Sequence, residues 1–301
     1  RMPATRSAHA SAHLLALATI ALWASLAALG AALAHVPPFL LTGLGLLAGS
    51  VIALPLVRFD LRRLAVTPRA LALGVYGLFG YHFLLFTALQ LAPPVEANLV
   101  NYLWPLGIVM MAPLLLPGVR LTAAHALAAL VGLVGAAIAI LGRGDGGGAG
   151  LGADGAAYPL AALGFAAAAG GAFVWSSYSL LGKRLAGTRH AYPTAAIGTF
   201  GLVSGLLSLA CHALLEPAVS LGARDLALIA ALGLGPLGGA FFLWDAALKR
   251  GDARQIGVLS YLTPLLSTLI LLWSTGRPLS GNIALATVLI LGAAVVGTRA
   301  R

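Results

Sequence analysis

Long apolar stretches occupy almost the whole chain, and only short polar segments separate them. A helix that crosses a bilayer needs about 20 consecutive and mainly apolar residues, and each of these stretches meets that requirement. The pattern therefore predicts an all-α membrane protein with ten transmembrane helices. The predicted spans are 13–33, 38–57, 70–91, 94–116, 121–141, 158–182, 192–215, 225–247, 254–274 and 280–298.

One segment of this pattern occurs twice in the chain. Residues 74–106 align without a gap with residues 233–265, and 11 of the 33 aligned pairs are identical. Similarity at a constant offset indicates an internal repeat, since composition bias alone would match fewer pairs. The identical pairs are Gly74/Gly233, Leu78/Leu237, Gly80/Gly239, Phe83/Phe242, Leu84/Leu243, Ala88/Ala247, Leu89/Leu248, Tyr102/Tyr261, Leu103/Leu262, Pro105/Pro264 and Leu106/Leu265.

The repeat predicts two five-helix halves, at residues 1–141 and 158–301. Because five is an odd number, the second half enters the membrane in the opposite sense to the first, which is an inverted-topology architecture. Residues 142–157 are rich in glycine, and we expect this segment to be a flexible periplasmic linker. Duplicated helical membrane proteins of this kind are mostly transporters, whose substrate site lies where the repeats meet.

Composition and charge agree with a membrane location and exclude the soluble globular class. The chain of 301 residues is 60% hydrophobic and only 9% charged, with a mean hydropathy of +0.98. Its net charge of +10 reflects topology, since 15 of the 18 Lys and Arg residues lie in segments predicted to be cytoplasmic. We therefore expect both termini in the cytoplasm, and the lipid bilayer, not a nucleic acid, as a partner.

Residues 13–33 exceed the roughly 7–15-residue apolar region of a signal peptide, so we expect them to remain as the first helix.

Residues that could perform chemistry are scarce. The sequence shows no cysteine cluster typical of a metal site, no catalytic Ser/His/Asp context and no nucleotide-binding motif. We therefore expect neither an enzyme nor a bound cofactor. Asp245 is the only acidic residue inside a predicted helix and away from its ends, and Lys249 follows it by four residues. A surface ion pair and a proton-binding site are both open interpretations of this pair.

The fourth predicted helix carries a polar face within the membrane. Asn98, Asn101, Tyr102 and Pro105 are three or four residues apart or adjacent, and they therefore share one side of the helix. Unpaired amide groups are costly in hydrocarbon, so this face must point inward. It is either the wall of a substrate cavity or a site of helix–helix hydrogen bonds.

Other polar and aromatic residues complete the predicted substrate site. An amino acid is a zwitterion, so helix ends and backbone dipoles can hold its charged groups while aromatic residues contact its side chain. Packing, a neutral hydrogen bond or anchoring at the membrane interface are the alternative roles of such residues. The candidates for substrate binding are Trp23, Ser25, Tyr81, His82, Asn101, Tyr102, Trp104, Trp175, Tyr178, Ser260 and Tyr261.

Proline and glycine residues inside the predicted helices are candidates for bends. Proline removes a backbone hydrogen bond, and glycine permits either a hinge or the close approach of a neighbouring helix. The candidate hinge or gating residues are Pro105, Gly170, Gly171, Pro236 and Pro264. The small-residue pairs that favour close packing within one chain are Gly45/Gly49, Gly201/Gly205 and Gly235/Gly239.

Several of these features together resemble the EamA type of the drug/metabolite transporter superfamily. They are a Trp-x-Ser sequence in the first helix of each half, Tyr-x-x-Pro in the fourth helix, its counterpart at 260–264 and the two-by-five organisation. The segment 101–105 is most similar to the branch of this superfamily that exports aromatic amino acids. The chain departs from the Gly-Glu-Arg-Leu sequence that is frequent in the family, since residues 118–121 read Gly-Val-Arg-Leu. A role for that glutamate does not carry over.

The resemblance implies a secondary transporter of the inner membrane that works in the direction of export. We expect its substrates to be amino acids, aromatic or other apolar ones, and its mechanism to be alternating access around a central cavity. The alternative is an efflux carrier for drugs or other metabolites from the same superfamily. A dedicated cation exporter would be expected to place a carboxylate at the membrane midplane. Because one chain contains both repeats, a monomer is sufficient.

Overall fold

The computed structural model describes residues 3–141, 160–275 and 281–300. These residues form helices joined by turns and short connections, and no β-strand occurs among them. The fold class predicted from the sequence is therefore confirmed at the level of an all-helical protein. The predicted linker at 142–157 lies outside the described residues and stays a prediction.

Four of the ten predicted spans, the third, fourth, eighth and ninth, are each divided between two helices of seven residues or more. In the first half of the chain the α-helices longer than four residues are α1 (Pro3–Ala32), α2 (Pro38–Ser50), α3 (Pro68–Val75), α4 (Tyr81–Leu91), α5 (Pro94–Asn101), α6 (Trp104–Leu115) and α7 (Ala123–Leu141). In the second half they are α8 (Ala161–Leu185), α9 (Ala196–Leu215), α10 (Ala223–Leu234), α11 (Ala240–Arg250), α12 (Ala253–Leu259), α13 (Leu262–Thr275) and α14 (Gly281–Arg299). Each predicted span contains one or two of these helices.

Seven helical segments of the described chain are long and apolar enough to cross a membrane. They are Ala10–Gly30, Pro38–Leu56, Pro68–Leu91, Glu96–Leu115, Ala196–Leu215, Ala223–Arg250 and Gly281–Arg299. A shorter apolar helix covers Ala123–Ile138. The chain is thus a multi-pass membrane protein by length and composition of its helices, while ten crossings in two inverted halves remain a prediction.

The chain packs as two compact units, and each unit takes residues from both sequence halves. The first unit consists of Arg1–Phe83 and Leu181–Arg250, and the second of Leu84–Leu180 and Gly251–Arg301. The predicted halves 1–141 and 158–301 therefore describe a duplication in the sequence, whereas the compact units each combine helices from both halves.

A π-helical turn separates α3 from α4, and another separates α10 from α11. The turns cover Tyr76–Gly80 and Gly235–Gly239, which are equivalent positions in the aligned repeats. In a π-helical turn the backbone hydrogen bond reaches one residue further than in an α-helix, and such turns are frequent at functional sites. The duplication seen in the sequence is therefore accompanied by a shared irregularity of the backbone.

In the first unit, α2 lies against α9, α10 and the second π-helical turn. A Cβ atom added at Gly49 would lie 2.6 Å from the Cα atom of Gly238 and 2.7 Å from the carbonyl oxygen of Gly233. One added at Gly205 would lie 3.0 Å from the carbonyl oxygen of Gly43. The backbones are therefore in direct contact, and the close packing predicted for the small-residue pairs of the second and seventh spans is confirmed.

In the second unit, α7 packs against α14, and α12 packs against both α6 and α14. Tyr261 is fully buried in the apolar core of this unit, next to Val109, Val258 and Ile290. A Cβ atom added at Gly132 would lie 2.5 Å from the Tyr261 ring. This glycine therefore makes room for the tyrosine in the core.

Helix α12 begins where Asp252 caps it. The Asp252 carboxylate accepts a hydrogen bond from the backbone N–H of Arg254 at 2.8 Å. It also forms an ion pair with the Arg254 guanidinium at 2.6 Å. Burial opposes the ionisation of Asp252, but the hydrogen bonds and charge of Arg254 outweigh it and hold the pKa of Asp252 below its usual range. The start of the ninth span is therefore held by an ionised cap.

Candidate functional site

An aromatic cluster in the first unit contains one of the predicted site residues, Trp23 of α1. The centroid of its ring system lies 5.2 Å from that of Trp244 and 6.4 Å from that of Phe241, both on α11. Trp244 is almost fully buried, whereas Trp23 is half-buried. Trp23 therefore offers the more accessible ring surface, which suits contact with an apolar or aromatic side chain.

His82 and Tyr81 extend this cluster from the start of α4. The His82 ring lies 6.1 Å from Phe241 and 5.1 Å from Tyr81 between centroids, edge to face in both cases. Its Nδ1 atom lies 2.6 Å from the carbonyl oxygen of Leu78, to which it donates a hydrogen bond. Leu78 belongs to the π-helical turn just before α4, so the imidazole is held against the irregular part of the span.

Phe241 and Trp244 belong to the cluster but were not predicted from the sequence. Phe241 is the residue that aligns with His82 in the repeat, and the structure brings these two equivalent residues into contact. That alignment was a usable signal for Phe241. Trp244 had no such signal, because the residue aligned with it is Leu85.

A second aromatic cluster lies within the second unit and joins α6 to α8. The Trp175 centroid lies 6.5 Å from that of Trp104, with the rings nearly perpendicular at 85°, and 5.4 Å from that of Tyr178. All three side chains are buried. The hydroxyl group of Ser176 lies 2.8 Å from the Trp104 carbonyl oxygen, which ties the two helices together at the cluster. The structure thus brings three of the predicted site residues together.

Trp23 and Trp175 occupy the same position in the Trp-x-Ser sequences of the two halves. Each of them belongs to one of the two aromatic clusters. The serines two residues later bond back along their own helices, since Ser25 donates to the Leu22 carbonyl at 2.7 Å and Ser177 to the Phe173 carbonyl at 2.7 Å. Each Trp-x-Ser sequence therefore contributes its tryptophan to an aromatic cluster, while its serine bonds within its own helix.

The fourth span is interrupted at its predicted polar face. Tyr102 and Leu103 lie between the end of α5 and the start of α6, next to Pro105 in the first turn of α6. A proline in a first turn costs no hydrogen bond within the helix, because the first backbone N–H groups have no partner there. Asn101 is buried and Tyr102 is half-buried. The break therefore brings helix ends and polar side chains together within the apolar span.

The ninth span has the equivalent break, but its polar residues are placed differently. Ser260 and Tyr261 lie between α12 and α13, and both are fully buried. Ser260 donates its hydroxyl hydrogen to the Ile256 carbonyl at 2.9 Å, and Tyr261 packs in the apolar core described above. The structure places Tyr261 in the apolar core of the second unit, whereas the buried Ser260 bonds back along its own helix.

The remaining candidate hinge residues lie in three different settings. Pro236 is buried inside the second π-helical turn. Pro264 is buried in α13, where its carbonyl oxygen accepts a hydrogen bond from Thr268 Oγ1 at 2.8 Å. Gly170 and Gly171 lie inside α8, which runs without interruption. Pro105, Pro236 and Pro264 therefore lie at, or within one turn of, an interruption of a span, whereas Gly170 and Gly171 do not.

The ion pair between Asp245 and Lys249 is present, but it is not a surface pair, so that one of its two interpretations is wrong. Lys249 Nζ lies 2.7 Å from Asp245 Oδ2, and the two side chains are only 16% and 7% exposed. Thr194 Oγ1 donates to the same carboxylate oxygen at 2.7 Å, and Lys249 Nζ donates to the Tyr192 carbonyl at 2.9 Å. The connection before α9 therefore covers the pair, and the ammonium group also lies 4.0 Å from the centroid of the Tyr192 ring.

Comparison with known protein families identifies the family of this chain. The model of the EamA-like transporter family matches residues 10–141 and 162–298. The chain belongs to the EamA-like transporter family. It is therefore a membrane transporter and not an enzyme, and the resemblance to this superfamily seen in the sequence is confirmed.

Two relatives of this transporter are similar over nearly their whole length. The aromatic amino acid exporter YddG of Ancylobacter novellus is 44% identical over 292 residues, which cover 96% of this chain and 97% of that protein. A solved crystal structure with 42% sequence identity has a TM-score of 0.84 and covers 95% of this chain and 97% of its own. The similarity therefore extends over nearly the whole chain.

Proposed function

We propose that this transporter exports aromatic and other apolar amino acids. The observation that carries the proposal is the 44% identity, over 96% of the chain, to a protein named as an aromatic amino acid exporter. The similarity is not confined to one segment. It therefore supports a shared substrate class as well as a shared fold.

The aromatic clusters support the same substrate class. Trp23 in the first unit, and Trp104 with Trp175 in the second, offer the ring faces and edges that bind apolar and aromatic side chains. We assign the charged groups of the substrate to the break next to Asn101 and Tyr102, where helix ends expose backbone dipoles. A zwitterion needs no fixed counter-charge at such a site.

The state of Asp245 argues against its use as the binding site of a dedicated exporter of cations. Such a carrier would use a membrane carboxylate to hold its substrate. The carboxylate of Asp245 is instead bonded to Lys249 and Thr194. Efflux of drugs or other metabolites is therefore the second candidate, and the transport experiment below separates the two.

We further propose that the protein lies in the inner membrane with both termini in the cytoplasm, and that the two inverted halves work by alternating access as a monomer. The bias of Lys and Arg towards the predicted cytoplasmic segments supports this orientation. Cys211 is the single cysteine, so a Cys211→Ala background allows one cysteine to be placed at either terminus. Each should react with an impermeant thiol reagent in inverted vesicles and not in intact cells.

Counterflow in proteoliposomes tests the substrate class. Labelled phenylalanine outside should accumulate when the vesicles contain unlabelled phenylalanine, tryptophan or tyrosine, because a carrier exchanges one substrate for another. A preload of a quaternary-ammonium drug should drive no accumulation. Accumulation with the drug alone, or with neither preload, would contradict amino-acid export.

Replacement of Tyr102 by alanine is expected to lower the rate of phenylalanine counterflow roughly tenfold, since the half-buried ring beside the break is lost.

Replacement of Trp104 by alanine should lower the rate of phenylalanine counterflow as well. Trp104 is buried, so truncation also leaves a cavity, and Trp104→Phe is needed to separate packing from substrate contact.

Met110→Ala is the matched control for these variants, because Met110 lies on the same helix as Trp104 and is exposed. Its counterflow and the amount of protein in the membrane should equal those of the wild type. Normal counterflow in both the Tyr102 and Trp104 variants would remove this helix break from the substrate site.

A further inference from the structure

Two arginines and a histidine meet in the first unit, next to the start of α3. Arg69 lies in the first turn of α3, whereas Arg189 and His190 lie in the connection between α8 and α9. Arg69 Nη1 and Arg189 Nε each lie 3.2 Å from the Nε2 atom of His190. The two guanidinium groups are therefore within two hydrogen-bond lengths of each other.

A histidine carries no negative charge, so His190 does not balance the positive charges of Arg69 and Arg189. A guanidinium group can only donate hydrogen bonds, so the two arginines share the single lone pair of the Nε2 atom of His190. No carboxylate among the described residues lies within ion-pair distance of Arg69 or Arg189. The cluster thus holds two positive charges close together without a protein counter-charge.

Such an arrangement favours a bound anion. Like charges at this separation repel each other, and an anion that contacts both removes the repulsion. Both arginines are exposed, and each uses one of its five donors on His190. The remaining planar donors match the oxygen atoms of a phosphate group, which arginine binds in a bidentate manner.

The surroundings of the cluster favour a lipid over a free phosphate ion. Arg69 lies at the very beginning of the membrane-spanning segment Pro68–Leu91, which is the depth of lipid headgroups. The connection that precedes this segment is tied to α9, because Thr199 Oγ1 donates to the Leu64 carbonyl at 2.8 Å. It carries two exposed apolar side chains, Phe59 at 71% and Leu61 at 64%. Exposed apolar side chains in the connection that leads into Arg69 fit a membrane surface and not bulk water.

We propose that Arg69, Arg189 and His190 form a binding site for the phosphate group of an anionic phospholipid. The phosphate accepts hydrogen bonds from both guanidinium groups, while His190 holds the two arginines in position. Basic pockets at the cytoplasmic ends of membrane helices bind such headgroups. The bound lipid links the start of α3 to the connection between α8 and α9, and so stabilises the first unit. This site is independent of the substrate that is transported.

Thermal unfolding of the purified protein in detergent tests the proposal. Phosphatidylglycerol should raise the midpoint of unfolding by more than phosphatidylcholine does, and inorganic phosphate should raise it little. In the Arg69→Gln/Arg189→Gln variant roughly tenfold more phosphatidylglycerol should be needed to raise the midpoint by the same amount. Native mass spectrometry should find phosphatidylglycerol retained on the wild type and lost from Arg189→Gln, which changes only an exposed residue of a connection.

The variant Arg62→Gln/Arg63→Gln is the matched control. It removes the same number of charges from the neighbouring connection and should keep the full effect of phosphatidylglycerol. Equal losses in the two double variants would indicate general surface attraction and overturn the site. An unfolding midpoint in the wild type that does not respond to phosphatidylglycerol, or that responds equally to inorganic phosphate, would overturn the lipid assignment.

Discussion

Replacement of Gly49 by alanine is expected to lower the free energy of unfolding by about 3 kcal/mol and to remove most of the folded protein from the membrane. The added Cβ atom would lie 2.6 Å from Gly238 Cα and 2.7 Å from the Gly233 carbonyl oxygen. These are backbone atoms, so no side chain can turn away to make room. Helix α2 would have to separate from α10 and the second π-helical turn. Thermal unfolding in detergent and the yield of monodisperse protein measure the effect.

Gly292→Ala is the matched control, since Gly292 lies inside α14. Among the described residues, no heavy atom lies within 4 Å of the Cβ atom that this change would add. Alanine also has the higher helix propensity, by about 1 kcal/mol, so the stability of this variant should be unchanged or slightly raised. A Gly49→Ala variant as stable as the control would contradict the backbone contact between α2 and the π-helical turn.

Replacement of Asp245 by alanine is expected to cost about 3–5 kcal/mol of stability. Without the carboxylate, the ammonium group of Lys249 stays buried with no counter-charge, because that side chain is only 16% exposed. Its hydrogen bond to the Tyr192 carbonyl and its contact with the Tyr192 ring remain, but they do not neutralise it. The double variant Asp245→Ala/Lys249→Met should recover much of the loss, since it removes both charges.

Arg63→Gln provides the comparison with an exposed ion pair. Arg63 lies 3.2 Å from Asp60, and the two side chains are 65% and 46% exposed. Its loss should change the free energy of unfolding by less than about 1 kcal/mol, because water screens such pairs. If the Asp245 variant lost no more stability than Arg63→Gln, the pair at Asp245 would not be buried in the folded protein.

The positions of the helices could be predicted because apolar length is a property of consecutive residues. Each predicted span contains helical residues, and the break in the fourth span lies next to Pro105, where a bend was expected. The π-helical turns could not be predicted. Their sequences, Tyr-Gly-Leu-Phe-Gly and Gly-Pro-Leu-Gly-Gly, share only the central leucine and the last glycine. Pro236 indicated a bend in the second of them, but neither sequence indicates a π-helical hydrogen bond.

The candidate site shows the same division between local and distant information. Trp23, Trp104, Trp175 and Tyr178 could be named from residue type and from the Trp-x-Ser sequence. The partner Trp244 could not, because it lies far from Trp23 in the chain and only packing brings the two rings together. Ser260 and Tyr261 looked equivalent to the polar face of the fourth span, yet Tyr261 lies in the apolar core of the second unit and the buried Ser260 bonds back along its own helix.

The sequence by itself determined that this protein is a duplicated helical membrane transporter of the EamA-like family. The length and polarity of each span, the repeat and the Trp-x-Ser sequences are all properties of residues close together in the chain. Only the tertiary structure decided that the Asp245–Lys249 pair is buried, because Tyr192 and Thr194, which cover it, are more than 40 residues away. The same reason applies to the arginine cluster at His190, since Arg69 reaches it through packing and not through sequence proximity.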